Sequence, residues 1–193
     1  DIDYIKKFHN FENASKIIET VNLKTKKLDD VVFKKKIDFI KIDTQGFESI
    51  VIEHGKKTIS DALVVQLELS PIPIYKKEKS FSYVCNQMEK MNFSLNMFHN
   101  INTRTLKPMV VGGNTGNGLK TIFQLDCVFV KNYSIIEELT IERLKKLILI
   151  MFYSYKSFDF VDYLISLLDK KQKTDLIKDF RNLIPSLKLE KKY

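Results

Sequence analysis

Tryptophan is absent from the 193 residues, while cysteine occurs twice, histidine three times, proline four times and glycine six times. Cys85 falls in a helical pattern and Cys127 in a strand pattern, so neither a disulfide framework nor a zinc site is expected, and a reducing cytoplasmic setting fits best. His9, His54 and His99 are widely spaced, with no H-x-x-x-H pair, and no metal is expected. Arginine occurs only as Arg104, Arg143 and Arg181, so the net charge of +8 is carried almost entirely by lysine. Bidentate reading of guanine or phosphate leans on guanidinium groups, which excludes specific nucleic-acid binding as the leading function. The lysine clusters Lys34 to Lys36 and Lys191/Lys192 are short and read as solvated surface. The longest strongly apolar run, Leu147 to Tyr153, falls far short of the ~18–20 residues that span a bilayer, so no transmembrane segment is expected. The first residue is Asp rather than Met, which reads as processing or as an excerpt from a longer chain.

Against these absences, 44% of the residues are hydrophobic, enough for one respectable core with an appendage. The stretch that organises the chain is Ile37 to Glu48, IDFIKIDTQGFE. Ile37, Phe39, Ile40 and Ile42 give the nearly continuous apolar run expected of a strand buried on both faces of a parallel sheet. The run stops at Asp43, Thr44, Gln45 and Gly46, a polar turn containing a residue free to take positive φ. Ligands of open α/β sheets bind outside the carboxyl ends of the strands, so chemistry is expected here. Ala62 to Leu69, ALVVQLEL, reads as a second parallel strand. It ends near Glu68, and Ser70, Pro71 and Pro73 break it. Asp43 and Glu68 are thus expected to rise from neighbouring strands into one crevice, where two carboxylates can serve as general base and hydroxyl acceptor. A carboxylate that caps a helix or binds a backbone amide is the plain alternative.

Elsewhere the patterns are structural. Val21 to Thr25 alternates as a half-buried strand, and Asp29 or Asp30 is placed to cap a short helix running to Phe33. A helix over Phe47 to His54 is expected to end at Gly55. Ser80 or Ser82 caps a helix to about Met91, whose Phe81, Val84, Cys85, Met88 and Met91 form a core stripe. Phe93 to Phe98 and Phe123 to Val130 read as strands. His99, at the end of the first of these, is a candidate crevice residue with a pKa suited to proton transfer, though a solvent-facing histidine is the plainer reading. The glycine-rich Gly112 to Gly118 lacks the G-x-G-x-x-G order, so it reads as a hairpin or long loop on the crevice side. From Ser134 the period turns helical. Ser134 with Glu137 fits a capping box, and helices are expected through Met151, over Phe158 to Leu168 and around Ile177 to Ile184. This tail, 134–193, is expected to be a helical extension that covers the sheet edge or contacts another copy or another part of a longer chain, an amphipathic stripe being more often core than interface.

Thr25, Leu28 to Asp30, Ile37 to Asp43, Gln45 to Gly46, Glu48, Val64 to Ser70 and Pro73 to Tyr75 follow the order T-x-x-LDD, IDFIKID-x-QG-x-E, VVQLELS-x-x-PIY. Over roughly residues 20 to 131 this resembles the C-terminal half of the FkbM-type methyltransferases, S-adenosylmethionine-dependent enzymes of Rossmann-like fold. The resemblance implies an α/β domain over 1–133 whose sheet is partial, without the N-terminal donor-binding strands. It implies O-methylation of a hydroxyl on a sugar, glycan or related small metabolite. It assigns Asp43 and Glu68 to catalysis, Gln45 to the substrate, and Asp43 and Gly46 to the S-adenosylmethionine side; His99, from its place at a strand end, is the further substrate-binding candidate. No D-x-G-x-x-x-G element precedes Ile37, so the donor site is incomplete. A binding or scaffolding module that kept the sheet without the catalysis is the competing reading.

Overall fold

The computed structural model describes residues 2–9 and 16–186. The chain divides into two compact units, Asp1–Val130 and Lys131–Tyr193. In the first, a short helix α1 (Ile2–Ile5) and a single 3-10 turn at Leu28–Asp30 precede the strand β1 (Phe39–Ile42). Helices α2 (Glu48–Glu53) and α3 (Lys56–Asp61) then return the chain to β2 (Val64–Leu69). The two strands pair in parallel, with Phe39 opposite Val64 and Ile42 opposite Leu67. That pairing requires the crossover that α2 and α3 supply. After α4 (Phe81–Lys90) come β3 (Phe93–Thr103) and β4 (Ile122–Lys131), and the sheet order is β1-β2-β4-β3. The β4 strand runs antiparallel to β2 and places Asp126 opposite Glu68 and Leu125 opposite Leu69. The structure is therefore a partial Rossmann-like α/β sheet followed by a helical part.

Period-two alternation sorts the sheet into two faces. Ile42, Val65, Leu67, Leu69, Cys127 and Phe129 share one core with Ile52, Val84 and Met88 of the helices. Lys41, Glu68, Gln124 and Asp126 alternate with these and so lie toward the other face. A second small core, Phe8, Ile74 and Phe123 with Tyr4, Ile5 and Tyr75, ties the α1 segment to the turn after β2. Its rings meet edge to face, Tyr4 to Phe8 at 5.1 Å and Phe8 to Phe123 at 5.0 Å.

In this unit four local expectations are corrected. Residues Val21 to Thr25 form no strand, and Val21 and Leu23 are 61% and 79% exposed. Alternation is a local signal, whereas a strand needs a ladder partner, and among the described residues none lies beside this segment. Asp29 does not cap a helix of its own. Its carboxylate accepts from Lys57 N (3.1 Å) and Thr58 N (2.8 Å), closing the first turn of α3 from 28 residues upstream. Gly55 is not the end of α2 but the residue before α3. A Cβ there would lie 2.7 Å from Leu28 Cδ2 and 2.9 Å from Val51 O, so close packing explains it. Finally, β3 continues to Thr103, which leaves His99 inside the strand instead of at its end. Ser80 caps α4 as expected, accepting from Tyr83 N.

In the second unit, α5 (Tyr133–Glu138), α6 (Ile141–Tyr155), α7 (Phe158–Gln172) and α8 (Leu176–Leu183) follow one another. The cap of α5 is Asn132, not Ser134. Its Oδ1 accepts from Ile135 N at 3.1 Å and from the Ser134 hydroxyl at 2.9 Å. Leu144, Leu147 and Met151 of α6 and Val161, Leu164 and Leu168 of α7 are buried, as an amphipathic stripe requires. Asp169 turns the chain into α8, accepting from Thr174 Oγ1 (2.6 Å), Leu176 N (3.0 Å) and Ile177 N (2.9 Å). Arg181 of α8 grips Asp162 of α7 with two bonds of 2.7 and 2.8 Å.

Candidate active site at the carboxyl ends of β1 and β2

The turn that follows β1 is built by a carboxylate. Gln45 at φ 54 and Gly46 at φ 96 are both in the left-handed region, which reverses the chain within two residues. Glu48, only 3% exposed, fills the concavity of that turn. It accepts from Thr44 N at 2.8 Å, Thr44 Oγ1 at 3.2 Å and Gly46 N at 3.0 Å. Gly46 is required twice over, by its φ and by contact, since a Cβ would lie 2.6 Å from Tyr75 Cβ. After β2 a second turn is tied in the same way. Glu78 Oε2 accepts from Ile74 N at 2.7 Å and Tyr75 N at 2.9 Å.

Between the two turns lies one polar cluster. Gln45 Nε2 donates to Asp43 Oδ1 at 2.7 Å and to Glu68 Oε2 at 2.8 Å. Lys41 Nζ holds the other oxygen of Asp43 at 3.1 Å, and Gln124 Nε2 of β4 reaches Glu68 Oε2 at 2.9 Å. The Tyr75 hydroxyl donates to Gln45 Oε1. Sequence reading identified Asp43, Gln45, Gly46 and Glu68 as neighbours, and the structure brings those four together. His99 is exposed on β3, two strands away from β2 in the sheet order, and no bond that ties the cluster reaches it.

The two carboxyls are pushed in opposite directions. Desolvation raises Asp43, but the hydrogen bonds from Lys41 and Gln45 and the Lys41 charge outweigh it and hold the group below the usual carboxylate range. Glu68 is raised, first by desolvation and then by the negative charges of Asp43 and Asp126, with the Gln45 bond opposing. Desolvation and the charges of Glu68 and Glu78 likewise push the Tyr75 phenol up, which keeps it protonated. A carboxylate pair split in this way has one member that stays charged and one able to take a proton.

Lys41, Tyr75 and Gln124 are the cluster members that sequence reading did not single out as site residues. Tyr75 stands in the PIY segment of the motif, which was a usable signal. Gln124 owes its place to the β2–β4 register, for which the sequence holds no local sign.

Two sequence-assigned donor-side residues, Asp43 and Gly46, do not by themselves make a site for S-adenosylmethionine. Both Asp43 oxygens already accept bonds, and Gly46 has its N–H on Glu48 and Tyr75 packed against its Cα. No strand precedes β1 among the described residues, and β1 is the outermost strand of the sheet.

A parallel strand pair joined by helices, with polar residues gathered at the carboxyl ends, defines an α/β protein. Residues 3–95 match the family model of the methyltransferase FkbM domain, the family that the motifs resemble. The match reaches from α1 into β3 and takes in the Asp43–Gln45–Glu68 cluster. No curated protein and no solved structure matches the chain.

Proposed function

We propose that the chain carries the acceptor side of an S-adenosylmethionine-dependent O-methyltransferase, acting on a hydroxyl of a sugar, glycan or related metabolite in the cytoplasm. The observation that carries this reading is the split carboxylate pair inside a segment matching a methyltransferase domain. Glu68 is the residue that accepts the hydroxyl proton, because its carboxyl is raised toward working pH and Oε2 alone takes the two amide bonds. Asp43, charged and held at both oxygens, orients Gln45 and Lys41 around the acceptor. S-adenosylmethionine would supply the methyl group, held by residues of the chain outside this cluster.

The test is methyl transfer from labelled donor to a panel of sugar hydroxyls by the folded protein and by Glu68→Gln. Loss of general-base assistance lowers the rate about 10²–10⁴-fold, and an unchanged rate overturns the assignment. Asp43→Asn is the companion variant, with the same criterion.

One observation favours a second reading, a methyltransferase-like binding or scaffolding module: the outer edge of β1 carries no strand among the described residues. Calorimetric titration with S-adenosylmethionine separates the two. Saturable binding supports the enzyme and shows the donor site to be complete after all. Absence of both binding and transfer in a folded preparation selects the module.

A further inference from the structure

Gln45 has two ends of opposite character, and the cluster works only if the amide is the right way round. With Nε2 toward the carboxylates, one nitrogen serves Asp43 and Glu68 together. With the amide reversed, Oε1 would face two acids and repel both. The backbone does not decide between these, because rotation about the last side-chain torsion exchanges the two ends at little cost. What does decide is a donor on the far side. The Tyr75 hydroxyl meets Oε1, and its ring is fixed by contact with Gly46 and by the Glu78 clamp on its own backbone N–H.

We propose that Tyr75 is a positioning residue, which locks the Gln45 amide so that its nitrogen faces both Asp43 and Glu68. It touches neither carboxylate in this arrangement and acts through Gln45. The proposal deepens the methyltransferase reading and rests on it for its catalytic meaning, but the lock itself is a property of the fold. The raised phenol agrees with it, since a hydroxyl that keeps its proton remains a donor. Other charges facing the pair are Lys41 from β1 and Asp126 from β4, while Glu78 and Glu48 act on the Tyr75 phenol, and none of them reaches Gln45 Oε1 among the bonds described.

The experiment follows Asp43 and Glu68 by carbon-detected NMR titration of their carboxyl groups in the whole chain, for wild type, Tyr75→Phe, Gln45→Leu and the double variant. Tyr75→Phe keeps the ring and removes the donor. Both carboxyl titrations move to higher pH, because a reversed amide no longer stabilises the anions, and Tyr75→Phe has no further effect once Gln45 is leucine. Where transfer is measurable, kcat falls about three- to tenfold, the worth of one hydrogen bond, with KM unchanged. Titrations that stay in place in folded Tyr75→Phe overturn the proposal, as does an equal effect in the Gln45→Leu background. If Tyr75→Phe does not fold, 3,5-difluorotyrosine at position 75 strengthens donation and must shift both titrations, and no shift overturns it. Moved titrations in a protein without transfer activity leave the lock standing and remove the methyltransferase reading.

Discussion

Asp43 and Glu68 stand at the carboxyl ends of adjacent parallel strands and share a single donor, Gln45 Nε2, at 2.7 and 2.8 Å. The shared bond favours the charged form of both acids, holding Asp43 low together with Lys41 and opposing the rise of Glu68. It also makes each carboxyl a perturbation of the other: the Asp43 charge is among the causes that raise Glu68.

The pH dependence of transfer follows from that coupling. With Glu68 accepting the proton, the rate rises with pH through an ionisation above the ordinary glutamate range. Asp43→Asn takes away a neighbouring negative charge, so the acid limb moves to lower pH even as the maximal rate drops. A pH–rate profile of the two proteins measures this directly, and a limb moving the other way would exclude Glu68 as the titrating group.

Glu48 is a stability residue rather than a chemical one. Glu48→Ala leaves the N–H groups of Thr44 and Gly46 without their acceptor in a closed turn, at a cost of roughly 2–4 kcal/mol. Urea unfolding reports the loss. Because the turn carries Gln45, activity declines in the same variant at temperatures where the fold persists.

In the helical unit the corresponding position is Asp169, buried and accepting three bonds at the start of α8. Asp169→Ala destabilises that unit by about 1–3 kcal/mol. Desolvation pushes the carboxyl up, but the bonds from Thr174, Ile177 and Leu176 outweigh it and hold it low. A lowered carboxyl adds stability above its unfolded pKa and loses that contribution as pH falls through the folded value. The gap between wild type and variant is therefore full at neutral pH and closes under acid, which melts at several pH values will show.

Cys127 is fully buried and its thiol is pushed up to about 12, first by desolvation and then by the charges of Cys85 and Asp126. Alkylation of the native protein at mildly alkaline pH leaves Cys127 unmodified, and the mass gain attributable to it appears only on unfolding. Rapid native labelling of Cys127 would contradict the packing of β4.

Much of the site was legible because its signals are short-range. IDFIKID shows its strand by apolar density, its end by Asp43 to Gly46, and its parallel neighbour by the repeat of the same pattern at Val64 to Leu69. The helix after Ser80 was legible for a like reason, a cap followed by a core stripe. The failures share a different cause. Asp29 caps a helix 28 residues away, Gln124 enters the cluster through cross-strand register, and Tyr75 comes in by packing on a glycine. None of these partnerships leaves a mark on the local sequence. The alternation at Val21 to Thr25 misled in the opposite sense, since a period of two without a partner strand is only a spacing. The end of β3 was placed too early, since Asn100 to Thr103 continue the strand past His99.

Two successive left-handed residues, as in the turn after β1, produce a concave row of backbone N–H groups, the shape that many proteins use to seize a phosphate or a free carboxylate. Here the cup arrives already filled, because Glu48 sits in it as a tethered anion supplied four residues on from Thr44. A soluble anion would have to displace a ligand that is never more than a bond rotation away. The backbone N–H groups of this turn are thus already satisfied by the chain's own carboxylate.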